Sequence, residues 1–281
     1  MMNSKHDIDP ALIRSLEEHA RKIRLDITEM FYHAGTGHFG GSLSITDLVA
    51  ALYFHFLNIF PDDPKNPDRD RIIISKGHGA PAAYSAMCTL GFFPHSYLED
   101  YEKLCANLNT HPNMRKIPGW DMSAGSLGHG LPVAMGMAIA GKYDKKDYRV
   151  YCIIGDGESG EGSVWEAALS APKFKLDNLI AFTDRNRLCV DGPTEEVLPL
   201  EPLREKWEAF GWEVFEMNGH DMAEILCTVE AAKASANGKP KMIIMNTVKG
   251  KGISFMENVR SWHGASITDE QYQQILKELE G

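Results

Sequence analysis

Five short runs rich in β-branched and apolar residues, at 71–75, 149–154, 179–183, 212–217 and 241–247, recur along the chain with helical patterns between them. They have few polar interruptions, so each is expected to be buried on both faces. Strands of that kind, separated by helices, pack as a doubly wound, mostly parallel sheet with helices on both faces. In such an α/β fold ligands collect at the carboxyl ends of the strands. A chain of 281 residues, 43% of them apolar, can bury a sheet of this size. No linker, repeat or low-complexity segment divides it, so residues 1–281 read as one domain, with about 1–8 a mobile N-terminus.

Local signals place several helices. Asp9-Pro10 reads as an N-cap with proline at the first helical position, and Leu12, Leu16, Ala20, Ile23, Ile27 and Phe31 follow at helical spacing up to Gly35. Ser44 with Asp47 predicts a capped helix through the apolar stretch to Phe60, stopped by Pro61. Asp221 with Glu224 and Thr268 with Gln271 predict helices over about 221–236 and 268–279. Further helices are expected at 127–143 and 163–174.

Charge and cysteine usage exclude several classes. A net charge of −10 argues against a general nucleic-acid or anionic-membrane surface, so any anionic ligand has to be held locally. Five scattered cysteines without Cys-x-x-Cys spacing suggest reduced thiols rather than disulfides or zinc. The first residues lack an apolar secretory core, and no run reaches the roughly 18 apolar residues of a membrane span. A cytoplasmic protein is expected.

The chemistry concentrates in loops. Gly155-Asp156-Gly157-Glu158 follows one apolar run, and Thr183-Asp184-Arg185-Asn186-Arg187-Leu188 closes the next. Asp156 and Asn186 offer one anionic and one neutral hard oxygen, which with a carbonyl near Leu188 suit Mg²⁺ beside a diphosphate. The flanking glycines let backbone amides approach phosphate oxygens, and the helix predicted from Ser163 would point its positive end at them. Taken alone, the tripeptide is also an ordinary turn. Five loops carry histidine next to or near glycine: Gly37-His38, Gly77-His78, Thr110-His111, Gly128-His129 and His263-Gly264. By residue type each is more often a packed or exposed loop residue than a ligand. Glu161 and Glu166 flank a helix start and read physically as helix-dipole partners. Lys249-Gly250-Lys251-Gly252 reads as a solvated surface loop, with a phosphate-facing lid as its alternative.

Taken together, these segments resemble the N-terminal, thiamine diphosphate-binding half of transketolases, over about His38 to Gly264. The segments that carry the resemblance are Gly37-His38-Phe39-Gly40, Ser75-Lys76-Gly77-His78-Gly79, His111-Pro112-Asn113, Gly125-Ser126-Leu127-Gly128-His129-Gly130, the Gly155 and Asn186 loops, and Trp262-His263-Gly264. The resemblance implies a thiamine diphosphate-binding fold. It implies metal ligation by Asp156, Asn186 and the Leu188 carbonyl, with Mg²⁺ as the metal and Ca²⁺ or Mn²⁺ able to substitute. It assigns cofactor binding to His78, Gly125, Ser126, Leu127, Gly155, Asp156, Gly157, Glu158, Asn186 and His263. His38, His111 and His263 would face sugar hydroxyls as proton donors and acceptors. Glu161 and Glu166 would join a carboxylate relay between two active sites across a subunit interface. Phe39, Asn113 and His129 depart from the family pattern, where proline, glutamate and glutamine are usual.

The resemblance also implies a partner. The pyrimidine-binding domain of the family, which supplies the ring-facing glutamate, has no counterpart here. A separate C-terminal subunit in an α2β2 assembly is therefore expected, transferring a two-carbon ketol unit between sugar phosphates. The alternatives are the α chain of a 2-oxoacid dehydrogenase, a deoxyxylulose-phosphate synthase fragment and a non-catalytic regulatory subunit. The row of histidines favours the ketol transfer.

Overall fold

The structure, a computed structural model, describes residues 8–280; residues 1–7 of the expected mobile N-terminus lie outside them. Ile8, the last residue of that segment, packs partly buried against the core. All five expected strands form: β1 (Arg71–Ile74), β2 (Val150–Gly155), β3 (Leu179–Arg185), β4 (Glu213–Asn218) and β5 (Lys241–Asn246). They make one parallel sheet in the order β1-β2-β3-β5-β4. β2 and β3 are buried throughout, as their unbroken apolar sequence requires, whereas β4 at the edge alternates and leaves Glu216 exposed.

Successive residues of each strand point to opposite faces and so feed two cores. Ile72, Ile74, Tyr151, Ile153, Phe182 and Ile243 pack on one face, against α1 (Pro10–Ala34), α2 (Phe39–Leu43), α3 (Thr46–Ala51) and α4 (Ala80–Thr89). After α5 (Ser96–Glu99) the chain crosses over. Ile73, Val150, Cys152, Ile154 and Ala181 pack on the other face, against α6 (Gly130–Tyr143) and α7 (Gly162–Ser170). Beyond the short α8 (Thr194–Val197), α9 (Leu203–Ala209) adds Leu203 and Trp207 to that second core. α10 (Met222–Ala234) returns to the first face and α11 (Asp269–Glu280) lies on α1.

This routing locates the site. The chain leaves β1 and β5 toward the first face and β2 and β3 toward the second, which opens a crevice at their carboxyl ends where ligands collect in doubly wound sheets.

The caps form unevenly. Asp9 accepts from the Ala11 amide at 2.8 Å, and Gly35 closes α1 at φ 68°. Thr268 and Gln271 form a reciprocal box at 3.2 and 3.0 Å. The Ser44/Asp47 box does not form. Ser44 Oγ donates instead to Asp184, 2.8 Å away, and Asp47 turns to Arg24 and His220, so the helical stretch from Phe39 is broken at Ile45. It ends in a π-turn over Leu52–Phe56, four residues short of Phe60, where Leu57 is already extended. The helix expected over 127–143 starts at Gly130, and the one expected over 163–174 tightens to a 3-10 turn at Ala171–Phe174.

Thr268→Ala removes one half of the box on α11 and is expected to lower stability by about 1 kcal/mol. Urea denaturation reads this directly. An unchanged midpoint in both Thr268→Ala and Gln271→Ala would mean that packing on α1 alone holds the helix.

Candidate active site

Six connections converge on the crevice: the turn before α2, the loops after β1, β2, β3 and β5, and the long connection between α5 and α6. They enclose a cavity of about 380 Å³ lined by His38, His78, Asp156, Asn186, Lys249 and His263, among others. Size alone does not single it out, because a cavity of about 460 Å³ lies between α1 and α5 beside His33 and His95. What distinguishes the smaller one is the chemistry that meets there.

Four of the five loop histidines gather. The ring centroid of His38 lies 5.4 Å from that of His78, 6.4 Å from His111 and 5.6 Å from His263, and His78 is 5.0 Å from His263. A small antiparallel bridge between Gly37 and Ala265 holds the His38 and His263 segments together, with N–H···O bonds of 2.9 and 3.0 Å. Only glycine fits at 37, since a Cβ there would stand 2.0 Å from the Phe31 ring. Burial lowers the pKa of His38, and the charge of His111 adds to it. Burial, then Lys76, pushes His78 well below its ordinary value. Burial, then Lys249, takes His263 to about 4. These three imidazoles are therefore neutral near pH 7. His38 Nδ1 is buried without a hydrogen-bond partner. Lys249 Nζ donates to His263 Nδ1 at 3.0 Å, which leaves the proton of His263 on Nε2. His111 is exposed at the rim, while His129 heads α6 on the surface outside the cavity lining.

The oxygen donors expected for a metal are buried and oriented. Asp156 is 2% exposed, and its Oδ1 accepts from the Gly157 amide at 2.8 Å. Its Oδ2 accepts from the Arg187 amide at 2.5 Å and from Arg185 Nη1 at 3.3 Å. Burial, then the neighbouring Asp184, raises the Asp156 pKa, the situation a bound divalent cation would relieve. Asn186 donates through Nδ2 to Asp184 at 2.8 Å, and its Oδ1 accepts from the Leu188 amide at 3.1 Å. The Leu188 carbonyl accepts from Lys249 Nζ at 2.9 Å. Carboxylate, amide and carbonyl oxygens are the donor set of Mg²⁺ or Ca²⁺. Among the described residues no group of three or more His, Cys, Asp or Glu side chains is placed to hold a metal, as a softer ion would ask.

Beneath these groups lies a polar knot whose members the sequence displays without revealing their role. Lys76 Nζ is 2.6 Å from Asp184 Oδ2, 2.6 Å from the Gly41 carbonyl and 3.3 Å from Ser44 Oγ. Thr247 Oγ1 donates to the other Asp184 oxygen. Burial pushes the Asp184 carboxyl up, but Lys76 and the hydroxyl donors outweigh it and hold the pKa below the usual range. Arg185, 1% exposed, fixes the segment behind Asp156 through Thr194 Oγ1 at 2.6 Å, Glu195 at 2.8 Å and Glu201 at 2.9 Å. Only its pairing inside the fold identifies it.

Several expectations change on contact with the geometry. Glu158 has both carboxylate oxygens engaged by protein groups: Oε1 by Ser75 Oγ and by the Gly128 amide at 2.8 Å, Oε2 by the Gly155 amide at 2.9 Å. It is a strut joining three loops at the cavity wall. A 3-10 turn, Gly157–Gly160, separates the Gly155 loop from α7, whose start packs on Gly128 through Ser163 Oγ at 2.8 Å. Gly125 and Leu127 line the cavity, and Ser126 beside them is exposed. Glu161 and Glu166 are both exposed. Glu161 occupies the N-cap of α7 without a side-chain capping bond, and Glu166 lies beyond the first turn, outside the range of the dipole. The largest correction is Lys249. Far from being a solvated loop residue, it is 2% exposed, and burial, then Lys76, lowers its pKa to about 8.

Comparison with known proteins identifies the family. Residues 15–280 match the family model described as transketolase, thiamine diphosphate binding domain. The 6-deoxy-6-sulfo-D-fructose transketolase subunit of Clostridium sp. (strain MSTE9) is 48% identical over 265 residues, 94% of this chain and 96% of that one. An apulose-4-phosphate transketolase subunit of Phocaeicola vulgatus is 43% identical, over 95% of this chain and 94% of that one. Human transketolase is 39% identical across 99% of this chain, which spans only 44% of the human protein. The crystal structure of Campylobacter jejuni transketolase superposes with a TM-score of 0.90 at 31% identity, over 95% of this chain and 43% of that one. This chain therefore belongs to the transketolase family and contains its thiamine diphosphate binding domain.

Proposed function

We propose that this chain is the N-terminal subunit of a two-chain transketolase, transferring a two-carbon ketol unit from a ketose phosphate donor to an aldose acceptor. The observation that carries the proposal is the meeting of neutral imidazoles, a buried ammonium and a hard-oxygen donor set in one cavity. In this reading Asp156, Asn186 and the Leu188 carbonyl hold Mg²⁺, with Ca²⁺ or Mn²⁺ able to take its place. His78, His263, Gly155 and Gly157 face the diphosphate, together with Lys249, whose ammonium opposes its charge. Gly125, Ser126 and Leu127 lie along the cofactor's rings. Thiamine diphosphate, when bound, supplies the carbanion chemistry that a side chain cannot.

The histidines do the positioning and proton handling. Being neutral, His38 offers one donor and one acceptor nitrogen to a sugar hydroxyl, whereas His263, its Nδ1 taken by Lys249, offers the Nε2–H alone. His38 Nδ1 is buried and unpartnered, and His263 directs Nε2–H away from Lys249. His111 at the rim completes the set. Glu161 and Glu166, exposed on the isolated chain, are available for a carboxylate relay between two copies.

The partner is a C-terminal subunit carrying the pyrimidine-binding domain, in an α2β2 assembly. Support comes from relatives of matching length that are themselves named as subunits. Those names also refer to sugars bearing a sulfonate or a phosphate, which favours a donor with an anionic tail, metabolised in the cytoplasm in a pentose phosphate type of exchange. All the metal and imidazole positions of the family pattern are occupied, which leaves no support for a regulatory, non-catalytic role.

Three outcomes test the proposal. Asp156→Ala is expected to weaken Mg²⁺-dependent binding of thiamine diphosphate by more than about 100-fold, since even outer groups of a metal site are worth 10–100-fold. Calorimetry reads the affinity and circular dichroism the fold; equal affinity in the variant refutes the metal assignment. Lys249→Met should weaken diphosphate binding yet stabilise the ligand-free chain at neutral pH. The sign follows from linkage: with a folded pKa of about 8 against an ordinary 10.5, the unfolded chain binds more protons between those values. The wild-type chain therefore gains stability as pH rises from 8 to 10.5, and the variant lacks that slope. Equal slopes in urea titrations at pH 7.5 and 10 would contradict the burial of this ammonium. Finally, ketol transfer should require both chains, and full turnover by this chain alone with saturating cofactor would sink the two-chain reading.

A further inference from the structure

Asp47, Arg24 and His220 stand outside the cavity, behind the loop that delivers Lys249. Asp47, on α3, accepts from Arg24 Nη2 at 2.7 Å and lies 2.7 Å from His220 Nδ1, both through Oδ2. Burial pushes this carboxyl up, but Arg24 and His220 outweigh it and bring it down to about 2, so it is ionised at neutral pH. The second ring nitrogen of His220, Nε2, is 2.8 Å from the Val248 amide. An amide N–H only donates, so Nε2 offers its lone pair and the ring proton sits on Nδ1, facing Asp47. Arg24 grips the same loop further on, its Nε donating to the Lys251 carbonyl at 3.1 Å. One carboxylate thus orients two side chains that hold the backbone on both sides of Lys249.

That hold has something to oppose. The Lys249 ammonium, 2% exposed, is kept from water at a cost, so the loop gains solvation whenever it swings outward. The remaining backbone bonds of the segment include a long one, Gly250 to the Gly40 carbonyl at 3.3 Å, and one from Asn258 to the Lys249 carbonyl at 2.9 Å. Gly250 and Gly252, at φ 79° and 94°, give the loop its bend. In such a loop a fixed Val248 amide decides where the lysine stem starts.

We infer that His220 is a positioning residue for diphosphate binding: held in one tautomer by Asp47, it anchors Val248 so that the Lys249 ammonium stays in the cavity. The inference rests on the reading of Lys249 as phosphate-facing. His220→Asn keeps a donor near the Nδ1 position for Asp47 but withdraws the acceptor from Val248. His220→Gln returns an acceptor within reach of that amide.

Two measurements on the full-length chain decide it. Hydrogen exchange across residues 247–252 should speed up about tenfold in His220→Asn and return toward wild type in His220→Gln, as expected for one lost and one restored hydrogen bond. Titration with thiamine diphosphate plus Mg²⁺, and with inorganic pyrophosphate plus Mg²⁺, should show about tenfold weaker binding in His220→Asn and rescue in His220→Gln. Unaltered exchange in His220→Asn overturns the anchor. Faster exchange with wild-type affinity, where Lys249→Met binds weakly, overturns the positioning role while keeping the diphosphate reading. Wild-type affinity in Lys249→Met would instead remove the phosphate-facing role of Lys249, and the inference with it.

Discussion

The ion pair between Lys76 and Asp184 is the constraint on which the site depends. The two groups are 2.6 Å apart, with side-chain exposures of 3% and 0%. Two charges taken this far from water repay their desolvation only when the remaining donors and acceptors are also satisfied. Here the Gly41 carbonyl and Ser44 Oγ complete the ammonium, while Ser44, Asn186 and Thr247 complete the carboxylate. Those partners come from the loop after β1, from α2 and the turn behind it, and from the ends of β3 and β5. The same contacts that satisfy the buried charges therefore fix the relative positions of the connections that carry His38, His78, Asn186 and Lys249. Satisfying the pair and building the cavity are one geometric problem.

A second consequence is electrostatic. The chain as a whole carries −10, so nothing in its long-range field favours a polyanion. Attraction has to be local, and it is assembled from groups kept out of water. Asp184 cancels Lys76, whereas Lys249 donates to two neutral acceptors, the Leu188 carbonyl and the His263 ring, and keeps its field for the cavity. Its proximity, after burial, helps lower His263, just as Lys76, after burial, helps lower His78. The cation that suits a diphosphate, Lys249, thus also adds to the burial that keeps His263 neutral, which is the state useful to sugar hydroxyls. Asp156, raised by burial and by Asp184, completes the pattern on the anionic side.

The legibility of the sequence follows these physical lines. The strands are readable because burial on both faces leaves an unbroken apolar run, and β2 and β3 are buried at every residue. The box at Thr268 is readable because it is a local exchange between residues three apart. The same pattern at Ser44 misleads: Asp184, 140 positions away, offers its hydroxyl a better partner. Lys249 misleads for a related reason. A Lys-Gly-Lys-Gly segment has the composition of a surface loop, and its tertiary contacts, among them those of Val248, Lys249 and Lys251, accompany the burial of one lysine. Glu158 lies in the expected motif, yet its role as a strut depends on Ser75 and Gly128, which no spacing rule connects to it. Local chemistry is visible in the sequence, and long-range pairing is not.

The shape of the cavity bears on the need for a second chain. Its floor is rigid and well satisfied: Lys76, Asp156, Glu158 and Asp184 are each 3% exposed or less. Its rim is different. Gly125, Ser126 and His111 all face solvent, and with them the loop expected to lie along the cofactor's rings. A reactive carbanion has to be kept from water, and neutral imidazoles direct protons best where bulk solvent does not compete. An open rim over a fixed floor is therefore half of a site, and the half it lacks is a cover. A partner chain seated on that rim would supply the cover. The proposed dependence on a partner therefore rests on the contrast between that exposed rim and the buried floor.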